Sequence, residues 1–92
     1  MRVRLTSRAN LDIRQQIDWL IERSPRSAEK AANAIFDAIG RLQSHPLSGR
    51  MIASGERETL VRFGQFGFVV RYEARRREVI VVRILHGAQD RA

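Results

Sequence analysis

The sequence predicts an α+β fold: an N-terminal strand, a two-helix antiparallel hairpin, then a three-stranded antiparallel meander, with the helices packed on one face of the sheet. Three observations lead there. Between residues 8 and 42 apolar residues recur at helical spacing, broken once by Ser24-Pro25. From Thr59 onward the pattern changes to that of strands, punctuated by Gly64 and Gly67. At the N-terminus Val3 and Leu5 alternate with Arg2 and Arg4, as in a short strand. At 92 residues the chain is expected to form a single domain, residues 1–92, with two layers around one core.

Met1 to Thr6 is the predicted first strand. Ser7 is the expected N-cap of a helix over residues 8–23. Ile13, Ile17, Leu20 and Ile21 fall at i, i+4, i+7 and i+8, which is one helical face. Asp12 near its start and Arg23 at its end complement the helix dipole. Ser24 can cap a second helix with Pro25 in its first position. Ala28, Ala32, Ile35, Ile39 and Leu42 give that helix a seam suited to close antiparallel packing on the first. His45-Pro46-Leu47-Ser48-Gly49 ends the hairpin, because proline cannot continue a helix and glycine permits the turn.

Thr59 to Phe63 is a predicted strand, Gly64 to Gly67 a turn, and Phe68 to Glu73 a second strand. Ala74 to Glu78 is a polar turn dominated by Arg75, Arg76 and Arg77, which reads as solvated. Val79 to Leu85 is apolar apart from Arg83, so this last strand is expected in the centre of the sheet with both faces partly covered. Gly64 and Gly67 serve a turn between strands and lack the spacing of a phosphate-binding loop.

Composition narrows function. A net charge of +7 and a pI near 11.5 point to an anionic partner, either nucleic acid or an acidic polypeptide. Lys30 is the only lysine, and arginine favours bidentate contacts to carboxylate or phosphate. A GC-rich genome also encodes arginine in place of lysine, so the bias alone does not choose between the two explanations. Cysteine is absent, and only His45 and His86 remain as soft ligands, so neither a metal site nor a cofactor is expected. No run approaches the roughly 18 apolar residues of a membrane span. Met1 to Ser7 has no apolar run behind it, so no signal peptide is expected. The expected location is the cytoplasm, with no membrane partner.

Three short motifs stand in order along the chain. His45-Pro46-x-x-Gly49-Arg50 follows the hairpin. Phe68-Val69-Val70-Arg71-Tyr72 is a strand ending in tyrosine. Arg83-Ile84-Leu85-His86-Gly87-Ala88-Gln89-Asp90 combines arginine, two apolar residues, His-Gly and a later aspartate. Together with the order of elements, they resemble the RelE/ParE superfamily, toxins of type II toxin–antitoxin systems, and the ParE-like branch in particular. The resemblance spans essentially the whole chain.

What the resemblance implies divides in two. ParE-like members poison DNA gyrase by trapping it on cleaved DNA, with no catalytic residues established; on that reading Arg83, His86, Gln89 and Asp90 are the candidates for meeting the target. RelE-like members cut mRNA on the ribosome without a metal, which needs a base, an acid and cations for the developing charge. Several ribonuclease members carry an arginine three residues before the middle-strand tyrosine. Here that residue is Val69, which cannot stabilise an anion. This departure favours the gyrase reading.

The ribonuclease alternative rests on Arg62, Arg71 and His86. Arg71 shares a face with Val69, and Arg62 and Arg83 are expected on strands beside it. The simpler roles are that Arg71 pairs with Glu73 or a cross-strand acid such as Glu58, and that His86 caps the sheet or bonds to backbone. A third possibility is an inert module that only binds antitoxin.

All three imply a cognate acidic antitoxin, usually of the ribbon-helix-helix, ParD-like kind in ParE-type pairs, with operator DNA contacted only through it. Trp19, Arg23, Arg62 and Arg71 are the candidates for contacting that partner. For Trp19 the preferred role is packing against the sheet or second helix; a half-exposed tryptophan would instead suit an antitoxin anchor.

Overall fold

The computed structural model describes residues 1–87. Its elements are β1 (Arg2–Leu5), α1 (Ser7–Arg23), α2 (Pro25–Arg41), β2 (Arg50–Met51), β3 (Arg57–Val61), β4 (Phe68–Ala74) and β5 (Glu78–His86). The predicted order of strand, helical hairpin and antiparallel meander is present. The sheet is larger than predicted, with five strands in the order β1-β5-β4-β3-β2. Arg50–Met51 adds an edge too short to show in an apolar pattern. The N-terminal strand runs parallel to β5, pairing Leu5 with Val81. β5 is therefore flanked on both sides, as its apolar run predicts.

The helix boundaries follow from side chains that satisfy exposed backbone donors. The N-cap of α1 is Thr6, not Ser7: Thr6 has extended backbone and its hydroxyl accepts from the Ala9 amide at 3.1 Å. Ser24 caps α2 as expected, accepting from Ser27 N at 3.2 Å with Pro25 in the first turn. Its own amide donates to the Leu20 carbonyl at 2.7 Å, so one residue closes α1 and opens α2.

The buried faces are shifted from the predicted ones by a fraction of a turn. On α1, Ala9, Asp12 and Ile13 are buried, and Ile17 and Leu20 pack against the core. Ile21 is 49% exposed, because one residue past Leu20 rotates the side chain about 100° around the axis. On α2, Ala31 and Ala38 join Ala28, Ile35, Ile39 and Leu42 in the buried set, while Ala32 is only half-buried.

The core lies between this hairpin and one face of the sheet, formed there by Val61, Phe68, Val70, Tyr72, Val79, Val81 and Ile84. Tyr72 is fully buried, and its hydroxyl accepts from the Gly49 amide at 2.8 Å. A Cβ at Gly49 would stand 2.5 Å from that hydroxyl and 2.9 Å from the Glu58 carbonyl oxygen. The His-Pro-x-x-Gly turn and the tyrosine of the middle strand are thus one packed unit: glycine is needed where tyrosine enters.

The turn after β3 comes earlier than predicted. Gly64 and Gly67 both have positive φ, and the Gly67 amide donates to the Phe63 carbonyl at 2.8 Å. Arg62 and Phe63 consequently fall outside the strand, which begins instead at Arg57.

Candidate functional site

Three places on the sheet carry the chemistry-bearing residues. The first is the edge of β5 beyond the end of β1. There α1 lies alongside the strand and its side chains meet the backbone. The Thr6 hydroxyl donates to the Val82 carbonyl at 3.1 Å and Gln16 Nε2 donates to the Ile84 carbonyl at 2.8 Å. Asp12 Oδ2 accepts from the Ile84 amide at 2.9 Å and from Arg83 Nε at 2.8 Å. Arg8 Nε reaches the other oxygen at 3.1 Å. Asp12 is only 4% exposed, so a buried carboxylate is neutralised by two guanidiniums and one peptide N–H. Its position one residue before Ile13 carries this role, rather than the helix-dipole role the sequence suggests.

The second place is the sheet face away from the helices. Glu58 on β3 stands opposite Arg71 on β4. Arg71 closes on one carboxylate oxygen with Nη2 at 2.6 Å and Nε at 2.8 Å, and Arg50 Nη2 approaches the other at 3.4 Å. Of the pairings open to Arg71 in the sequence, the structure selects Glu58. The three residues line a shallow cleft with Ile52 and Ser54.

The third is the corner where β5 ends. His86 is paired with Phe68 across the ladder, its ring 6.3 Å from the Phe68 ring at nearly a right angle and 5.5 Å from Phe66. Phe63 stacks on Phe68 at 5.6 Å. A narrow groove runs here between α1 and the sheet, walled by Trp19, Leu20, Phe63 and Phe68, with Gln16 and His86 at its polar end. Trp19 does not pack into the core as preferred from sequence; it is 56% exposed, with the Arg23 guanidinium 3.8 Å above its ring. Position 19 lies on the flank of the Ile13–Leu20 stripe, which leaves one wall of the indole open.

The fold brings some predicted residues together and separates others. Trp19 and Arg23 form one unit beside His86. Arg83 is half-buried and held by Asp12. Arg62 is exposed just past the end of β3. Arg71 and His86 do not converge. Arg71 is opposite Arg83 and Phe68 is opposite His86, so the two lie three residues apart along the ladder. Phe68, and with it His86, faces the helices, whereas Arg71 faces Glu58 on the other side. The expected grouping of Arg62, Arg71 and His86 is corrected by this alternation. Gln89 and Asp90 lie outside the described residues. Among the described residues no group of three metal-ligating side chains is present and no helix is long and apolar enough to cross a membrane. Sequence reasoning did not single out Asp12, Gln16 or Phe66 for these places; the only available signal was that Asp12 and Gln16 border the apolar stripe of α1 four residues apart.

Comparison with known proteins gives the family and the fold. Residues 3–91 match the family model described as the ParE toxin of the type II toxin–antitoxin system parDE. The chain is 36% identical over 89 residues to Toxin RelE1 of Caulobacter vibrioides, covering 97% of this chain and 96% of the relative. It is 33% identical over 89 residues to Toxin RelE3 of the same organism, covering 97% of each. The fold also superposes on a chain of the chromosomal ParDE toxin–antitoxin system from P. aeruginosa with a TM-score of 0.77, covering 94% of this chain and 95% of that one. At 22% identity this last likeness speaks for the fold alone.

Proposed function

The chain belongs to the ParE toxin family of type II toxin–antitoxin systems, and on that premise we propose that it arrests growth by binding DNA gyrase and trapping it on cleaved DNA, without chemistry of its own. One observation carries the choice of target: the side chains that an RNA-cleaving reading needs are committed elsewhere. Arg71 holds Glu58 on one face of the sheet, while His86 packs with Phe66 and Phe68 at a corner on the other. Val69, where an arginine would be needed, is 5% exposed.

The surface offered to the target is the C-terminal edge, with His86 on β5, Arg83 anchoring it, and Gln89 and Asp90 following in the sequence. Membership of the family implies an antitoxin partner. The groove beside Trp19 is the place for it: an exposed indole with an arginine stacked on it, beside an apolar wall, suits an acidic, partly apolar segment that orders on binding. That antitoxin is of the ribbon-helix-helix, ParD-like kind and carries the pair to operator DNA. Both act in the cytoplasm.

The test is a plasmid cleavage assay with purified gyrase, ATP, supercoiled DNA and the purified chain. Linear DNA should accumulate and disappear when cognate antitoxin is added. A folded chain that arrests growth but yields no linear DNA contradicts the reading.

The second reading, ribosome-dependent mRNA cleavage, is favoured by the Glu58 carboxylate standing between Arg50 and Arg71 in an open cleft. It predicts new transcript ends after induction, and intact transcripts would sink it. Growth arrest on expression of the chain alone would exclude an inert antitoxin-binding module.

A further inference from the structure

β1 covers only the first part of β5, and its ladder ends with Leu5 beside Val81. The remaining strand would present an open edge, which proteins ordinarily block or cover. Here helix side chains take the place of a strand. The Thr6 amide and hydroxyl meet the Val81 and Val82 carbonyls, Asp12 accepts the Ile84 amide and Gln16 donates to the Ile84 carbonyl. Asp12 and Gln16, four residues apart on one helix face, thus grip both polar groups of a single residue as a neighbouring strand would. Arg83, held by the same Asp12 carboxylate, locks the side chain next to that peptide. His86 lies two residues further along the strand.

We propose that Asp12 and Gln16 are positioning residues for the toxin's C-terminal edge: acting as a side-chain substitute for a partner strand at Ile84, they fix the direction in which β5 presents His86. The inference rests on the reading that this edge meets the target. Neither residue touches the target; both act through the backbone of Ile84.

Gln16→Leu is the discriminating variant. Gln16 Oε1 is buried with no donor among the described residues. Leucine strands the Ile84 carbonyl but removes one unmatched buried acceptor, so the two costs largely offset for the fold. Asp12→Ala is the stronger perturbation. Both are compared with the wild-type full chain by amide hydrogen exchange, by melting temperature and by growth arrest on induction.

In Gln16→Leu, exchange at residues 84–86 should rise by about tenfold or more while the amides of Ile35 and Ile39 stay protected and the melting temperature holds. Growth arrest should weaken by about tenfold in surviving colonies. A merely structural role would move the melting temperature and all core amides together, which overturns the proposal. Unchanged protection at 84–86, or raised exchange with full-strength arrest, overturns it as well. Should Asp12→Ala lose protection throughout, Gln16→Leu decides alone. If the wild-type chain arrests growth without producing linear DNA from gyrase, the gyrase reading falls, and the exchange and arrest comparison still decides the role of Gln16.

Discussion

Asp12 and Glu58 are the two buried acids among the described residues, and each is approached by two arginines, yet the two clusters differ in what they hold. Asp12 joins a helix to the sheet across 71 residues of sequence and also accepts a backbone amide. Glu58 joins neighbouring strands across 13 residues and is seen to accept from side chains. The difference decides what remains when the carboxylate is lost. At Asp12 a buried peptide N–H is stranded; at Glu58 the guanidiniums retain access to water.

Asp12→Ala should therefore have the largest effect on stability, about 3 kcal/mol, at the low end for breaking a buried pair because Arg8 and Arg83 both reach solvent. Urea denaturation measures it. Gly49→Ala strikes the other region from beneath, pressing a methyl into the Tyr72 hydroxyl and the Glu58 carbonyl, and should cost about 1–3 kcal/mol through overpacking. Glu58→Ala should cost only about 1–2 kcal/mol. A Glu58 variant less stable than the Asp12 variant would invert the comparison and make the open-face cluster the structural one.

The contrast also shows what a sequence can reveal. The Arg71–Glu58 pair was legible because alternation along two adjacent strands brings such residues face to face. The element order, the Ser24-Pro25 break and the central last strand were legible for the same local reason. Asp12 looked like a dipole partner because nothing local announces that β5 will pass beside it. The parallel pairing of β1 with β5 and the two-residue β2 depend on tertiary packing in the same way. Arg62, Arg71 and His86 looked like one group because the sequence places them on adjacent strands, but their register and sides are set only once β4 and β5 pair.

The smallest effect on stability is expected at the groove. Trp19→Ala should change folding stability by less than about 0.5 kcal/mol, since the indole is mostly exposed. Antitoxin affinity, measured by calorimetry, should nevertheless fall by about 2 kcal/mol, roughly thirtyfold. Equal losses in both would return Trp19 to the core-packing role.

The central claim is that toxicity belongs to the C-terminal edge and not to the cations of the open face. Growth arrest by the double variant Glu58→Leu/Arg71→Leu tests it most directly. Replacing both members of a buried pair by apolar residues is often nearly neutral for stability, unlike removing one. The double variant should fold and arrest growth as strongly as the wild-type chain. A folded double variant that no longer arrests growth would contradict the claim and assign the toxic activity to Arg71 and the cleft around it.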